Sequence, residues 1–126
     1  MAQRILIVDD DDMFVQLLTL VLSRQGYECL EAYNGRQAIE TIEVMQPDLM
    51  VLDDMMPWVN GPDVLRWICD NPATKDMPII YMPGYVGGGD DIHILPDDFP
   101  VKVLSKPCEP SVFLAVVREL LPPEAE

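Results

Sequence analysis

The chain predicts an α/β architecture: a parallel β-sheet with helices packed against both of its faces. Two observations carry this. Five short runs, "RILIV" (Arg4 to Val8), "YECLEAY" (Tyr27 to Tyr33), "LMVL" (Leu49 to Leu52), "PIIYM" (Pro78 to Met82) and "VKVL" (Val101 to Leu104), have the length and β-branching of strands. Between most of them lie segments whose apolar residues recur at helical spacing. Strand and helix in alternation imply βαβ units with right-handed crossovers, and near-continuous apolar strands imply a sheet covered on both sides.

The elements follow in order. After "RILIV" come four acids, and from Met13 the residues Phe14, Leu17, Leu18, Val21 and Leu22 form a helical stripe, with Asp11 or Asp12 as cap and Gly26 as terminator. "YECLEAY" alternates more loosely as a second strand. Asn34-Gly35 then turns into "RQAIETIEVM", whose stripe is Ala38, Ile39, Ile42 and Met45 and which Pro47 ends. "LMVL" is the third strand. "GPDVLRWICD" opens with a proline tolerated in a first helical turn and turns Val64, Leu65, Ile68 and Cys69 inward. Between the fourth and fifth strands, "GYVGGGDDIHILPDDFP" is rich in glycine, proline and aspartate, so at most one short helix is expected there. The last helix carries Val112, Phe113, Val116, Val117, Leu120 and Leu121 and stops at Pro122-Pro123.

With 126 residues, 49% of them hydrophobic and 24% charged, residues 1–126 are expected to form a single domain with its own core. A formal net charge of −14 repels nucleic-acid phosphates and anionic membranes, which argues against direct DNA binding and favours cations or basic partner surfaces. Cys29, Cys69 and Cys108 are widely spaced with no CxxC pair, so neither a disulfide framework nor a zinc site is expected, and reduced thiols suit a cytoplasmic protein. The start of the chain has neither the signal-peptide nor the membrane-span pattern. His93 is the sole histidine, and Gly87-Gly88-Gly89 lacks the lysine of a phosphate-cradling loop and is expected to be flexible.

In such sheets ligands bind at the carboxyl ends of the strands. Asp9 and Asp10 follow the first strand, Asp53 and Asp54 the end of the third, and Lys106 the fifth. If the first and third strands are neighbours, their carboxylates share a pocket, where like charges need a cation, and hard oxygen ligands suit Mg²⁺. Lys106 would pair with a carboxylate or with a phosphoryl oxygen on it, which completes a phosphoryl-transfer set. Asp11 and Asp12 serve equally well as ordinary helix caps; capping alone does not account for Asp9, Asp10, Asp53 and Lys106 at three strand ends.

"ILIVDD", "LMVLDDMMPWVNG" and "SKP" in this order and spacing resemble the receiver domain of two-component response regulators, over essentially the whole chain. The resemblance implies a flavodoxin-like, doubly wound (βα)5 sandwich with strand order 2-1-3-4-5 and a fourth helix that is short or irregular here. It implies that Asp53, four residues before Pro57 and eight before Gly61, is the phosphoacceptor, with Asp54 a solvated neighbour. Asp9 and Asp10 would hold Mg²⁺ with Asp53 and the Met55 backbone carbonyl, Asp10 directly and Asp9 through water. Lys106 would contact the phosphoryl group, ahead of a cis Lys106-Pro107 peptide. The implied donor is a sensor histidine kinase or a histidine phosphotransfer protein, and the implied output is contact with a downstream protein. The domain itself would be no enzyme, beyond intrinsic self-phosphorylation and autodephosphorylation.

Two positions depart from the family pattern. Where the family has Ser or Thr at the end of strand four, this chain has Pro83, without hydroxyl or N–H; where it has a strand-five aromatic, this chain has Val103. Phosphorylation with altered switching is therefore expected. The alternative is a non-switching, receiver-like binding module whose acidic pocket holds a metal for structure. The "GY" start after Pro83 and the "SKPCEP" exit are similar to receivers of hybrid histidine kinases, while Met1 and the short tail suggest a free-standing chain. A Mg²⁺-dependent phosphohydrolase would need a second acid two residues past Asp53, where Met55 stands. Trp58 is a candidate partner contact, and the outer face of the last helix with strand five is a candidate homodimer surface.

Overall fold

The fold is given by a computed structural model, which describes residues 2–53, 61–74, 76–82, 101–104 and 109–121. Its elements are β1 (Arg4–Val8), α1 (Asp12–Ser23), β2 (Glu28–Ala32), α2 (Gly35–Met45), β3 (Leu49–Asp53), α3 (Gly61–Asp70), β4 (Ile79–Met82), β5 (Val101–Val103) and α4 (Pro110–Leu120). The five strands form one sheet in the order β2-β1-β3-β4-β5, every pairing parallel. This is the expected doubly wound topology. The expectation for the segment between β4 and β5 falls on residues 84–100, which lie outside the described residues.

Side-chain alternation along the strands splits the core in two. Leu6 and Val8 of β1, Met50 and Leu52 of β3, and Ile79 and Tyr81 of β4 face α2 and α3, joining Ala38, Ile42, Val64, Leu65 and Ile68. Ile5, Ile7, Leu49, Val51, Ile80 and Met82 point the other way, onto Val15, Leu18 and Leu22 of α1 and Phe113 and Val117 of α4. Strands apolar at consecutive positions are thus explained: both faces are covered. Each fully buried Leu, Ile or Val contributes about 1.5–3 kcal/mol relative to exposure.

The helix faces correct the sequence reading in places. In α1 the buried positions are Val15, Leu18 and Leu22, whereas Leu17, assigned to the inner stripe, is 52% exposed. In α4, Phe113 and Val117 are buried and Val112 is 46% exposed. In α3, Val64, Leu65 and Ile68 are buried as expected, and Cys69 is half-buried against the same cluster. Among the described residues Cys29 and Cys69 are free thiols, and burial pushes the Cys29 thiol above its ordinary range, with Ser23 opposing and Glu31 adding to the rise.

Local chemistry sets the helix ends. Asp11 caps α1, its Oδ1 accepting from the Met13 and Phe14 amides at 3.1 and 3.3 Å. Beyond that helix Gly26 takes φ +92°, a conformation that costs a side-chain-bearing residue strain although space is open around it. Asn34 caps α2 through the Gln37 amide at 2.9 Å, and Gln37 Oε1 accepts from the Tyr33 amide at 2.8 Å, a close relative of the capping box. At the other end of α2, Gln46 sits left-handed at φ 48°, followed by Pro47.

The two ends of α2 give opposite expectations. Asn34→Ala loses a cap and lowers stability by about 1 kcal/mol. Gln46→Gly relieves a left-handed side-chain conformation and raises stability by about 0.5 kcal/mol, the gain net of glycine's greater freedom in the unfolded chain. Urea-denaturation midpoints of both variants check this.

Candidate functional site: an acidic cluster at the carboxyl edge of the sheet

β1 and β3 are adjacent and in register, Val8 opposite Leu52, so the residue after β1 and the last residue of β3 emerge side by side. Those residues are Asp9 and Asp53, 2% and 6% exposed in a protein where buried carboxylates are otherwise absent among the described residues. Asp10, exposed, completes the group: one carboxylate oxygen from each of Asp9, Asp10 and Asp53 lies within 4.8 Å of the others. The expected convergence of these three acids is therefore present in the fold.

Neighbouring groups orient the cluster. The Asp9 amide donates to the Ala32 carbonyl of β2 at 3.1 Å, and Asp9 Oδ1 accepts from the Asp11 amide at 2.9 Å. Asp11 is committed to capping α1, and Asp12 Oδ1 accepts from Gln16 Nε2 at 3.4 Å, so neither belongs to the three-carboxylate group. Tyr33, just past β2 at the same edge, has its phenol raised above the ordinary range by desolvation and then by the carboxylates of Glu31 and Asp12. It stays neutral, a hydrogen-bond donor among acids. In the sequence Tyr33 passed for the last residue of a strand; an aromatic directly before the Asn34-Gly35 helix start was the signal that could have separated it.

Magnitudes say what the arrangement is for. Two unit charges about 4 Å apart repel by about 4 kcal/mol at an effective dielectric of ~20. The Asp11 amide and the positive end of α1 offset part of this, and a bound divalent cation would offset more. The donor set is all hard oxygen with two buried carboxylates and one exposed, which fits a Mg²⁺ that keeps several waters and open positions.

The remaining sequence-predicted residues divide simply. Val103 lies on β5 opposite Tyr81 and is 37% exposed. Asp54, Met55, Pro57, Trp58, Pro83, His93, Lys106, Pro107 and Cys108 lie outside the described residues. No helix of the described residues is long and apolar enough to cross a membrane.

Comparisons with known proteins agree with this geometry. The family model of the response regulator receiver domain matches residues 5–118. The chain is 35% identical over 124 residues to the DNA-binding response regulator MtrA of Mycobacterium tuberculosis, and 36% identical over 120 residues to the response regulator PleD of Caulobacter vibrioides. These alignments take in 96% and 95% of this chain but 51% and 26% of the relatives, so the chain spans about half or less of their length. Among solved structures, the signal receiver domain of a signal transduction histidine kinase from Syntrophus aciditrophicus superposes with a TM-score of 0.85 at 28% identity, covering 99% of this chain and 97% of that one. A CheY-like response regulator receiver domain protein from Methanospirillum hungatei gives 0.82 at 25% identity, covering 94% and 93%. A parallel 2-1-3-4-5 sheet with three acids at its carboxyl edge, matched nearly end to end by the family model, belongs to the receiver domains of two-component response regulators.

Proposed function

We propose that residues 1–126 act as one receiver domain that accepts a phosphoryl group on Asp53 from the phosphohistidine of a sensor histidine kinase or histidine phosphotransfer protein. The observation that carries this is the buried Asp53 carboxylate at the end of β3, within 4.8 Å of Asp9 and Asp10. In the transfer, an Asp53 oxygen forms a bond to phosphorus as the phosphorus–nitrogen bond to histidine breaks, leaving an acyl phosphate on Asp53, while the departing imidazole nitrogen takes a proton from solvent and the histidine ends neutral. Asp9, Asp10, Asp53 and the Met55 carbonyl would hold Mg²⁺, which when bound supplies neutralisation of charge on the transferring oxygens. Lys106, by its place after strand five, would balance a further negative charge on the acyl phosphate.

The domain is a signalling module, and the chemistry proposed for it alone is limited to self-phosphorylation from small donors and hydrolysis of its own acyl phosphate. Its output would be contact with a downstream protein inside the cell, with two copies pairing as one form of that contact. Direct contact with DNA by this domain is opposed by a net charge of −14, whatever additional segments a longer relative such as MtrA carries. Pro83 has no hydroxyl to draw toward the phosphoryl group, and the exposed Val103 has no aromatic ring to move with it. The switch would therefore run through other residues, and Trp58, beside the site in sequence, is a candidate for the partner contact. The family match favours this phosphoacceptor reading over a module that holds metal for structure alone.

Incubation with a small acyl-phosphate or phosphoramidate donor and Mg²⁺ is expected to add one phosphoryl mass to the intact chain, an adduct absent from Asp53→Asn and from samples with excess chelator. A wild-type chain that stays unmodified by both a small donor and a phosphorylated histidine donor would overturn the assignment.

Mg²⁺ is also expected to stabilise the wild type by mass action, about 2.7 kcal/mol at one hundred times its dissociation constant. Asp10→Asn is expected to raise the stability of the metal-free domain by relieving repulsion and to abolish most of the Mg²⁺-dependent gain. Thermal melts with and without Mg²⁺ check both signs.

A further inference from the structure

At the opposite end of the sheet from the acids, where β3 and β4 begin, a cleft of about 320 Å³ opens between α2 and the end of α3. Ile42 and Met77, both members of the buried core, give it an apolar floor, and Trp67 forms part of its wall. Glu43, Gln46 and Asn71 bring polar groups to it. The Thr74 hydroxyl, also at this wall, is already spent on the Ile68 carbonyl at 3.0 Å.

Size and charge narrow what fits. An engineered apolar cavity of roughly 150 Å³ holds one benzene ring. A cleft about twice that size, lined in part by an indole, suits a fused two-ring aromatic better than a single ring or a nucleotide. Among the described lining residues Glu43 is the ionised one, so the described lining offers a carboxylate to a cationic ligand. A cationic aromatic would gain from the carboxylate and from the electron-rich ring of Trp67 together.

We propose that this cleft is a binding site for a small, flat aromatic cation: a bicyclic ring over Ile42, Met77 and Trp67, with its ammonium group toward Glu43. The site shares no residue with the acidic edge, and its occupation does not depend on phosphorylation.

Tryptamine and indole-3-acetate carry the same ring with opposite charge and are suitable probes. Each is titrated into the ¹⁵N-labelled full chain in saturating Mg²⁺, which occupies the acidic edge. The Trp67 indole N–H, identified by its loss in Trp67→Phe, is followed with the Gln46 and Ala73 amides. Tryptamine is expected to shift these signals saturably and to bind about fivefold more tightly than indole-3-acetate, and Glu43→Gln, at an exposed position that leaves the fold intact, is expected to remove most of that difference. The proposal is overturned if neither compound gives saturable shifts at Trp67, if both bind equally to the wild type, if Glu43→Gln leaves the preference unchanged, or if tryptamine perturbs only residues around Asp9 and Asp10.

Discussion

Parallel pairing between β1 and β3 is the constraint on which the site depends. Two neighbouring strands that run the same way must release their chains at the same edge, so an acid after one and an acid ending the other meet without any loop having to reach for the contact. The register that puts Val8 against Leu52 is enforced by the core, since a slip by one residue would send Ile5 and Ile7 to the wrong layer. The hydrophobic ordering of the two core layers thus fixes the spacing of charged groups that water would otherwise drive apart. Burial of Asp9 and Asp53 follows from the same packing, and with it a local field that favours a cation.

Much of this was legible in the amino-acid order. Apolar runs of strand length locate the sheet, and the acids after the first and third of them with the lysine past the fifth locate its functional edge, because buried parallel strands need no polar alternation. The helix faces were less legible. "MFVQLLTLVL" is apolar at so many positions that more than one stripe fits a helical period, and only the shape of the sheet beneath decides that Val15 turns in while Leu17 turns out. "VKVL" resembles a strand covered on both faces, yet β5 is an edge strand where Lys102 reaches Glu119 at 3.2 Å and Val103 meets solvent. Tyr33 was hidden for a different reason: its significance lies in two carboxylates, Asp12 and Glu31, from separate elements, a relation no spacing rule contains.

The molecule also separates its chemical ends. The carboxyl edge gathers acids, a neutral tyrosine and the capped start of α1, while the amino ends of the strands are tied down by ordinary structural bonds. The Arg4 amide donates to Asp48 Oδ2 at 2.8 Å, the Asp48 amide returns a bond to the Arg4 carbonyl at the same distance, and the Met50 amide reaches the Pro78 carbonyl at 3.1 Å. Bonds of this kind anchor the sheet's starting edge, at the far end of the strands from the three acids.

One of the two outer strands of the sheet has a bearing on how the protein behaves in company. β2 borders β1 on one side only, and a second sheet could in principle extend across its open backbone. Along that border stand Glu28 and Glu31, both exposed; Glu28 lies 3.5 Å from Arg4, and Glu31 accepts from the Thr19 hydroxyl at 3.4 Å. Another β2 laid against it would bring glutamates close on two molecules that each carry a net charge of −14. The acidity that suits the domain to a divalent ion at one edge therefore also opposes the pairing of crowded copies along β2.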